Sequence, residues 1–307
     1  MNIFVTGGTG FIGSHLVNRL KRENHVIILM RDLSSGMWGK WLNEALVGGC
    51  TIIQGDLSNQ SLLRRILAEY NIEQVYHLAS QAIVSIAIKD PVGTFQTNVM
   101  GTINLLDACR QVEKVQKILV MSTDKVYADS INAHEKDPLI YSGIYETSKV
   151  CQDHIAQAYC ITYNMHIQVA RACNCFGYDL NNRIIPNTVR SCLKGEPPII
   201  YEGEKTQRQY IFIDDLVSAL HFLMVTGHTD LVFNIGTDDI LSQEEVVKRI
   251  CLNFPLSPRR VKREKPLMEI YSQSVDWSNL KKLGWKPKFK FDDAIRETIK
   301  RFQTYGF

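Results

Sequence analysis

An apolar run, a glycine-rich turn and an amphipathic pattern follow one another at the start of the chain, and they constrain the fold more than any other feature. Residues Asn2–Thr6 are mostly apolar and predict a strand. The turn over residues 7–13 reads Gly-Gly-Thr-Gly-Phe-Ile-Gly, and residues 13–22 place Leu16 and Leu20 on one helical face. A strand, a tight turn and a helix in this order predict the first unit of a layered α/β fold.

Further strand-like runs recur along the chain, with helical patterns between them. The predicted strands are residues 2–6, 25–30, 51–54, 74–78, 117–122, 167–172 and 231–235. Most of them are apolar throughout, as strands are when both faces of a parallel sheet are covered, and right-handed crossovers would connect them. The predicted fold class is therefore α/β, with a Rossmann-type, doubly wound parallel sheet and a smaller interleaved α/β lobe.

The proline content marks the second lobe. Pro186, Pro197 and Pro198 lie between residues 173 and 207, and four more prolines follow Leu252. We predict a Rossmann domain over residues 1–172 and 208–236 and the smaller lobe over residues 173–207 and 237–307.

Charge and cysteine usage exclude several classes of protein. The 307 residues carry 35 basic and 32 acidic side chains, a net charge of +3, so we expect no nucleic-acid partner and no membrane surface. The 8 cysteines form no CxxC pair and have no histidine at zinc spacing, so we predict reduced thiols and no metal site. No apolar run approaches the roughly 20 residues of a membrane span, and no basic leader precedes the first strand. These features predict a cytoplasmic protein.

The glycine turn has the spacing of a loop that binds a dinucleotide phosphate. Glycine lets the backbone approach a pyrophosphate, which the N-terminus of the following helix attracts. The candidate cofactor-binding residues of the turn are Gly7, Gly10, Phe11, Ile12 and Gly13. After the second strand, Arg31 would suit the 2′-phosphate of NADP, whereas Asp32 would suit the 2′-hydroxyl of NAD. We expect tightly bound NAD(P) and favour NADP, although both side chains could instead be solvated loop charges.

A second motif pairs Tyr145 with Lys149. Their spacing of four residues places both side chains on one face of a helix. The pair follows the strand 117–122 and the polar residues Ser122-Thr123-Asp124-Lys125 at the carboxyl end of that strand, where open α/β sheets bind ligands. This edge of the sheet is the predicted active site.

Together these motifs resemble the extended short-chain dehydrogenase/reductase family that acts on nucleotide sugars. The matching segments are the glycine turn, Gly55-Asp56-Leu57, His77-Leu78-Ala79, residues 97–102, Tyr145 with Lys149, Arg208 before Tyr210, and Asp276 before Leu283-Gly284-Trp285. Thr123-Asp124-Lys125 is similar to the dehydratase pattern of this family. The Asp-Lys pair is most similar to the CDP-glucose 4,6-dehydratase branch, but related UDP-N-acetylhexosamine dehydratases share it, so the substrate stays open.

The resemblance implies an NDP-hexose 4,6-dehydratase, a hydro-lyase of deoxysugar biosynthesis, and a role for each catalytic candidate. Tyr145, as a phenolate favoured by Lys149, would take the proton of the sugar C4 hydroxyl while hydride leaves C4 for the nicotinamide. Lys125 would then remove the C5 proton, and Asp124, in its protonated form, would protonate the departing C6 hydroxyl. Hydride returns to C6 and leaves a 4-keto-6-deoxy sugar. Thr123 would hydrogen-bond the C4 oxygen.

The resemblance also implies the remaining contacts, in which the second lobe binds a CDP-, UDP-, GDP- or dTDP-linked hexose. Further cofactor-binding candidates are Asp56, Leu57, Leu78, Ala79, Asn98, Ser122, Tyr145 and Lys149. Substrate-binding candidates are Gln81, Thr123, Asn174, Arg183, Tyr201 and Arg208. Two departures put the sugar specificity in doubt: Gln209 follows Arg208 where many relatives have Asp, and residues 265–268 replace an Arg-Pro-x-Asp element.

Several alternatives stay open. An NDP-sugar 4-epimerase would need only Tyr145, Lys149 and Thr123, and a 5,6-dehydratase would use the same residues without returning hydride to C6. A non-catalytic, dinucleotide-sensing or scaffold protein that keeps the Rossmann fold is the third alternative. Separately, Asp124 and Lys125 could be a surface ion pair after the strand. By resemblance we also expect a homodimer, formed through the helices that begin near Phe95 and Tyr145. Its candidate contacts are Val99, Ile103, Leu106, Cys151, Ile155 and Tyr159.

Overall fold

A computed structural model describes residues 1–32, 40–46, 48–203, 206–228, 231–262 and 272–306, and every structural statement below concerns these ranges. The strands are β1 (Asn2–Thr6), β2 (His25–Met30), β3 (Cys50–Gln54), β4 (Gln74–His77), β5 (Lys117–Thr123), β6 (Ile167–Ala172), β7 (Asn174–Phe176), β8 (Ile199–Tyr201), β9 (Gln207–Phe212), β10 (Val232–Ile235), β11 (Ile240–Ser242), β12 (Arg259–Val261) and β13 (Ser272–Gln273). The predicted strands are all present, and their ends differ from the prediction by at most one residue.

Helices cover much of the remaining chain. They are α1 (Phe11–Leu20), α2 (Lys40–Leu46), α3 (Gln60–Glu69), α4 (Val84–Lys89), α5 (Pro91–Phe95), α6 (Gly101–Arg110), α7 (Ile144–Tyr163), α8 (Ile184–Leu193), α9 (Ile213–Val225), α10 (Gln243–Cys251), α11 (Ser278–Lys282) and α12 (Phe291–Tyr305). A π-helical turn, Gln96–Met100, joins α5 to α6, and a 3₁₀ turn, Asp124–Tyr127, follows β5. Of the helices in the described ranges, none is long and apolar enough to cross a membrane.

The central sheet has seven strands in the order β10-β6-β5-β4-β1-β2-β3. The pairs β1 with β2, β2 with β3, β1 with β4 and β4 with β5 are parallel. The chain therefore starts in the middle of the sheet, runs outward to β3, and returns across β1 to build the other side. This is the predicted doubly wound Rossmann topology, and it puts the carboxyl ends of β1, β4 and β5 side by side.

The core between the sheet and its helices explains why the strands are so apolar. Phe4, Val75 and Ile118 from neighbouring strands pack in one cluster with Leu63 of α3 and Leu105 of α6, and all five side chains are buried. Full burial of such a side chain contributes about 1.5–3 kcal/mol. Because α7 adds Ala156 to the same cluster, the core also fixes the helix that carries Tyr145 and Lys149.

The helix α1 differs from its prediction, since it starts two residues before Gly13. Gly10 is its N-cap residue and is extended, and Gly7 has a φ of 72°, which turns the chain between β1 and the helix. The turn is therefore shorter than residues 7–13, and Phe11, Ile12 and Gly13 form the first helical turn.

The chain divides into two compact units. The first comprises residues 1–128, 135–171 and 217–233, and the second comprises residues 129–134, 172–216 and 234–307. The second unit has its own small sheet, in which β9 pairs with β7, β11 and β13, and a separate pair of β8 with β12. These units and the predicted domains differ chiefly at 129–134, 208–216 and 234–236. The predicted domains and their functions stay predictions.

Candidate active site

The turn between β1 and α1 is tightly packed, as a phosphate-binding turn has to be. The backbone N–H of Gly10 donates to the Gly7 carbonyl at 3.0 Å. A Cβ on residue 13 would lie 2.0 Å from the Gly7 carbonyl oxygen, so only glycine fits there. Among the described residues, no side chain caps α1, and its first turn carries no acidic group. The N–H groups of this helix N-terminus are thus available to an anion, and the turn fits the pyrophosphate of a dinucleotide.

The predicted ribose and adenine residues follow the next two strands. Arg31 and Asp32 lie directly after β2, and both are exposed. Asp56, after β3, accepts a hydrogen bond from the Ser58 N–H at 2.9 Å, while Leu57 is buried in the core. Whether Arg31 or Asp32 meets a ribose stays a prediction. Because the Leu57 side chain is packed in the core, its contact with the adenine of a cofactor stays a prediction.

The residues Thr123, Asp124 and Lys125 are held together at the end of β5. The Thr123 hydroxyl donates to Asp124 Oδ1 at 3.0 Å and accepts the Lys125 N–H at 3.3 Å. Asp124 is only 2% exposed, whereas Lys125 is half-buried. A buried acid and a partly accessible lysine therefore leave the same strand end, which differs from the exposed ion pair that a surface turn would show.

Helix α7 brings Tyr145 and Lys149 to this strand end, since it packs against β5 and the turn that follows. Tyr145 is buried in the first turn of α7. Lys149 donates from Nζ to the Met121 carbonyl of β5 at 2.7 Å and to Gln152 Oε1. Burial lowers the pKa of Lys149 to about 7, although the nearby Asp153 carboxylate opposes this shift. The amine can therefore gain or lose a proton near neutral pH.

A buried ion pair lies behind the site. Arg171 donates from Nε and Nη2 to the two carboxylate oxygens of Asp153, at 2.8 and 2.9 Å, and both side chains are buried. The Ser122 hydroxyl also donates to Asp153 at 2.8 Å. Ser122, a predicted cofactor residue, is thus anchored to the ion pair, and this anchor fixes the end of β5.

Asn98 and Gln81 contact each other in the structure. The Gln81 N–H donates to Asn98 Oδ1 at 2.7 Å, and Asn98 Nδ2 donates to the Gln81 carbonyl and to the Ser148 hydroxyl, at 3.1 and 2.9 Å. Asn98 is fully buried. It therefore connects the loop after β4, which includes the half-buried Leu78 and Ala79, to α7. Whether Asn98 or Gln81 also meets a ligand stays a prediction.

Sequence reasoning missed the polar side chains beneath these residues. His77, at the end of β4, lies 2.7 Å through Nδ1 from the Thr6 hydroxyl and 2.8 Å through Nε2 from the Thr102 hydroxyl. Its burial lowers its pKa to about 3, so the ring is neutral. Gln152, three residues after Lys149, also reaches Thr102. The spacing of three residues on a helix was the one signal in the sequence that could have indicated Gln152.

The predicted substrate residues Asn174, Arg183, Tyr201 and Arg208 belong to the second unit. Asn174 and Arg208 lie on the paired strands β7 and β9, and Asn174 Nδ2 donates to the Gln209 carbonyl at 3.3 Å. Arg183 is the N-cap residue of α8, with Nε 3.7 Å from Asp179 Oδ2, and Tyr201 ends β8. The structure thus groups Asn174 with Arg208 on one sheet.

Gln209, one of the two departures, has a structural role in the second unit. Its side-chain NH₂ donates to the Thr237 carbonyl at 2.6 Å, and its Oε1 accepts the Val275 N–H at 3.0 Å. An amide can make this pair of contacts because it both donates and accepts, whereas a carboxylate only accepts. The other departure, residues 265–268, lies outside the described residues.

Comparison with known proteins identifies the family. The sequence model of the NAD dependent epimerase/dehydratase family matches residues 3–236. The chain belongs to this family. A curated relative, dTDP-glucose 4,6-dehydratase of Haemophilus influenzae, is 28% identical over 98% of this chain and 97% of its own length. The resemblance deduced from the motifs is therefore confirmed at the level of the family, while the CDP-glucose branch stays a prediction.

Two solved structures have closely similar folds. The UDP-glucose 4-epimerase of Thermotoga maritima with UDP-glucose has a TM-score of 0.90 at 26% identity and covers 99% of both chains. The dTDP-glucose 4,6-dehydratase of Streptomyces venezuelae with NAD and TYD bound has a TM-score of 0.87 at 28% identity and covers 99% of this chain and 97% of its own. The family is NAD-dependent, and the expected preference for NADP finds no support in these relatives.

Proposed function

We propose that the protein is an NDP-hexose 4,6-dehydratase. The observation that carries the proposal is the sequence Thr123-Asp124-Lys125 at the end of β5, with Asp124 buried and hydrogen-bonded to Thr123. Elimination of water needs an acid for the leaving hydroxyl and a base for the carbon proton, and these two neighbours supply both. The dehydratases among its relatives support the same reading.

Tyr145 and Lys149 would serve the oxidation at C4. Tyr145 would take the proton from the C4 hydroxyl, and the Lys149 ammonium would favour the phenolate through its positive charge. Thr123 would hydrogen-bond the C4 oxygen with its hydroxyl, which in the structure donates to Asp124 and accepts the Lys125 N–H. Burial of Tyr145 and Lys149 excludes water, which strengthens the attraction between their charges.

Lys125 and Asp124 would serve the elimination. Lys125, half-buried and next to Asp124, would take the C5 proton, which the C4 ketone has made acidic. Asp124 would protonate the C6 hydroxyl as it leaves. Asp124 would act in its protonated form; in the structure it is buried and accepts a hydrogen bond from the Thr123 hydroxyl at 3.0 Å.

The cofactor that we propose is NAD. The turn from Gly7 to Gly13 and the N-terminus of α1 would hold the pyrophosphate, and Asp32 after β2 would accept the ribose hydroxyls. When bound, the nicotinamide would accept hydride from C4 and give it back to C6, while the proton held by Lys125 returns to C5. Mass spectrometry of the extracted dinucleotide should give the mass of NAD. The mass of NADP would instead indicate that Arg31 binds a 2′-phosphate.

The nucleotide-linked hexose would be bound with the help of the second unit. Arg183 and Arg208 suit phosphate because guanidinium groups bind it bidentately, and Asn174 lies on the strand beside Arg208. The relatives act on dTDP- and UDP-linked sugars, and we propose a nucleotide of this kind.

We also propose a cytoplasmic homodimer. Leu106 is buried in the core, but Val99, Ile103, Cys151, Ile155 and Tyr159 are half-buried and remain candidates for the contact. All 8 cysteines are free thiols, as a reducing compartment would keep them. Sedimentation equilibrium should give twice the mass of the chain, and a monomer at all concentrations would contradict the dimer.

The proposed function is tested by variants of the acid and base. Lys125→Met and Asp124→Asn should each abolish the loss of one water from an NDP-hexose and leave the amount of bound dinucleotide unchanged. Lys114→Met, at an exposed position, is the matched control and should behave as the unaltered enzyme. Full dehydration by Lys125→Met would eliminate Lys125 as the base.

The second candidate function is an NDP-sugar 4-epimerase, which the fold of the Thermotoga enzyme favours. In that case Tyr145 and Lys149 would act as described, but Asp124 and Lys125 would have no proton to move. An epimerase would return a sugar of unchanged mass with the opposite configuration at C4, and Lys125→Met would retain its activity.

A further inference from the structure

Gln152 holds a buried position directly behind Lys149. Its side chain is completely buried, its Oε1 accepts a hydrogen bond from Lys149 Nζ, and its Nε2 donates to the Thr102 hydroxyl at 2.9 Å. Both ends of the amide are therefore used by named partners. Because an amide flip would set NH₂ against the lysine amine, these partners fix which way the amide points.

The hydrogen atoms of Thr102, His77 and Thr6 can be assigned from the acceptors that each of these side chains contacts. Thr102 donates its only hydroxyl proton to the Asn98 carbonyl at 2.7 Å, so its oxygen can only accept from Gln152 and from His77 Nε2. His77 then carries its proton on Nε2, and its Nδ1 accepts from the Thr6 hydroxyl at 2.7 Å. Gln152 is thus anchored through Thr102 to His77 of β4 and, through His77, to Thr6 of β1; its Nε2 also lies 3.3 Å from His77 Nε2, a contact that is not a hydrogen bond in this tautomer.

Two hydrogens of Lys149 are committed by this arrangement. One goes to Gln152 Oε1 and one to the Met121 carbonyl at 2.7 Å. The third position on Nζ is the one that carries a proton in the ammonium form and a lone pair in the amine form. Two fixed acceptors therefore set the direction of the position that titrates.

The charge around Lys149 comes from few groups. Among the described residues, Asp153 on α7 and His77 on β4 are coupled to Lys149 through their charges. The same helix also carries Tyr145, Glu146 and His154, and the turn after β5, which packs against it, carries Asp124, Lys125 and Tyr127. His77 is neutral, and Asp153 is already paired with Arg171. The acceptors that contact the amine are thus the uncharged amide of Gln152 and the Met121 carbonyl, and both support the ammonium far less than a carboxylate would.

We propose that Gln152 is a positioning residue for Lys149: its amide oxygen fixes the direction of the amine and, as a neutral acceptor, supports the ammonium less than a carboxylate would. The role of that amine toward Tyr145 and the dinucleotide rests on the proposed function. The proposal about Gln152 concerns the protonation of Lys149 and can be tested without turnover.

The test is a titration of Lys149 in the dinucleotide-bound protein, followed by carbon-13 NMR of the lysine side chains. The resonance is assigned by its loss in Lys149→Arg. Gln152→Glu should raise the pKa of Lys149 by about 1–3 units because a carboxylate contacts the ammonium. Gln152→Met, which has a similar size but no strong acceptor, should lower this pKa because the charged form loses a hydrogen bond.

Two readouts separate this role from a structural one. Gln303→Glu makes the same change of charge at an exposed position of α12 and should leave the Lys149 titration unchanged. The expected order of Lys149 pKa values is Gln152→Met below the unaltered protein and Gln152→Glu above it. A common shift in one direction, or no shift, would overturn the proposal. A protein that shows the expected order but dehydrates no NDP-hexose would refute the proposed function and leave the role of Gln152 intact.

Discussion

The carboxylate of Asp153 receives four hydrogen bonds, and Asp153→Asn is expected to destabilise the protein by about 3–5 kcal/mol. Arg171 Nε and the Ser122 hydroxyl donate to Oδ2, both at 2.8 Å. Arg171 Nη2 and Gln157 Nε2 donate to Oδ1 at 2.9 and 2.6 Å. Whichever oxygen becomes NH₂, two donors lose their acceptor, and each costs about 1–3 kcal/mol. The Arg171 charge also loses its counterion in a buried position.

The assay is urea unfolding followed by circular dichroism, at a fixed concentration of protein and dinucleotide. Glu69→Gln is the control, since it removes an acid from a pair with Arg65 whose side chains are 61% and 64% exposed. This change should cost less than about 1 kcal/mol. If Asp153→Asn lowers the free energy of unfolding by no more than Glu69→Gln does, the hydrogen bonds and the buried ion pair of Asp153 do not stabilise the protein as expected.

A double variant sharpens the result. Asp153→Leu with Arg171→Met removes both charges, so it should be more stable than Asp153→Leu alone by about 2 kcal/mol. Full recovery is not expected, because Arg171 also donates to the Tyr127 hydroxyl at 2.6 Å and to the Glu135 carbonyl at 3.0 Å. A double variant less stable than the single one would show that the two charges do not act as a pair.

Three further outcomes follow from burial and packing. The free energy of unfolding should rise between pH 7 and pH 10.5, because Lys149 keeps its proton in the unfolded chain but releases it in the folded protein. Lys149 contributes at most about 1.4 kcal/mol per pH unit to this rise. Urea unfolding of Lys149→Met should lack this contribution. Between pH 6.5 and pH 3 the free energy of unfolding should fall as the pH falls, because His77 binds a proton in the unfolded chain but stays neutral in the folded protein. Urea unfolding of His77→Asn over the same pH range should show a smaller fall. Gly13→Ala should lose bound dinucleotide, measured after gel filtration, because its Cβ would overlap the Gly7 carbonyl, whereas Gly227→Ala, with nothing within 4 Å, should keep it.

The sequence was sufficient for the main sheet because its signals are local, whereas the short strands β7, β8, β9, β11, β12 and β13 of the second unit were not predicted. The strands of the main sheet are rich in apolar residues, and the core that buries Phe4 and Val75 follows from that pattern. The start of α1 was displaced because the turn depends on the positive φ of Gly7, which spacing alone does not specify.

The site could be predicted only where its residues are near in sequence. Tyr145 with Lys149, and Thr123 with Asp124, are short motifs, and the structure brings both to the end of β5. The contact of Gln152 with Thr102 joins residues 50 positions apart, and the contact of Thr6 with His77 joins residues 71 apart. Such hydrogen bonds exist only after the sheet has formed, so no local pattern indicates them.

The mass of the product distinguishes a dehydratase from an epimerase. Purified protein is incubated with dTDP- and UDP-linked hexoses. The mass of the nucleotide sugar is then measured by mass spectrometry, and reduced dinucleotide is followed by its absorbance. A 4,6-dehydratase gives a product lighter by one water, without net accumulation of reduced dinucleotide. A product of unchanged mass with an inverted C4, or no turnover of any nucleotide hexose, would contradict the proposed function.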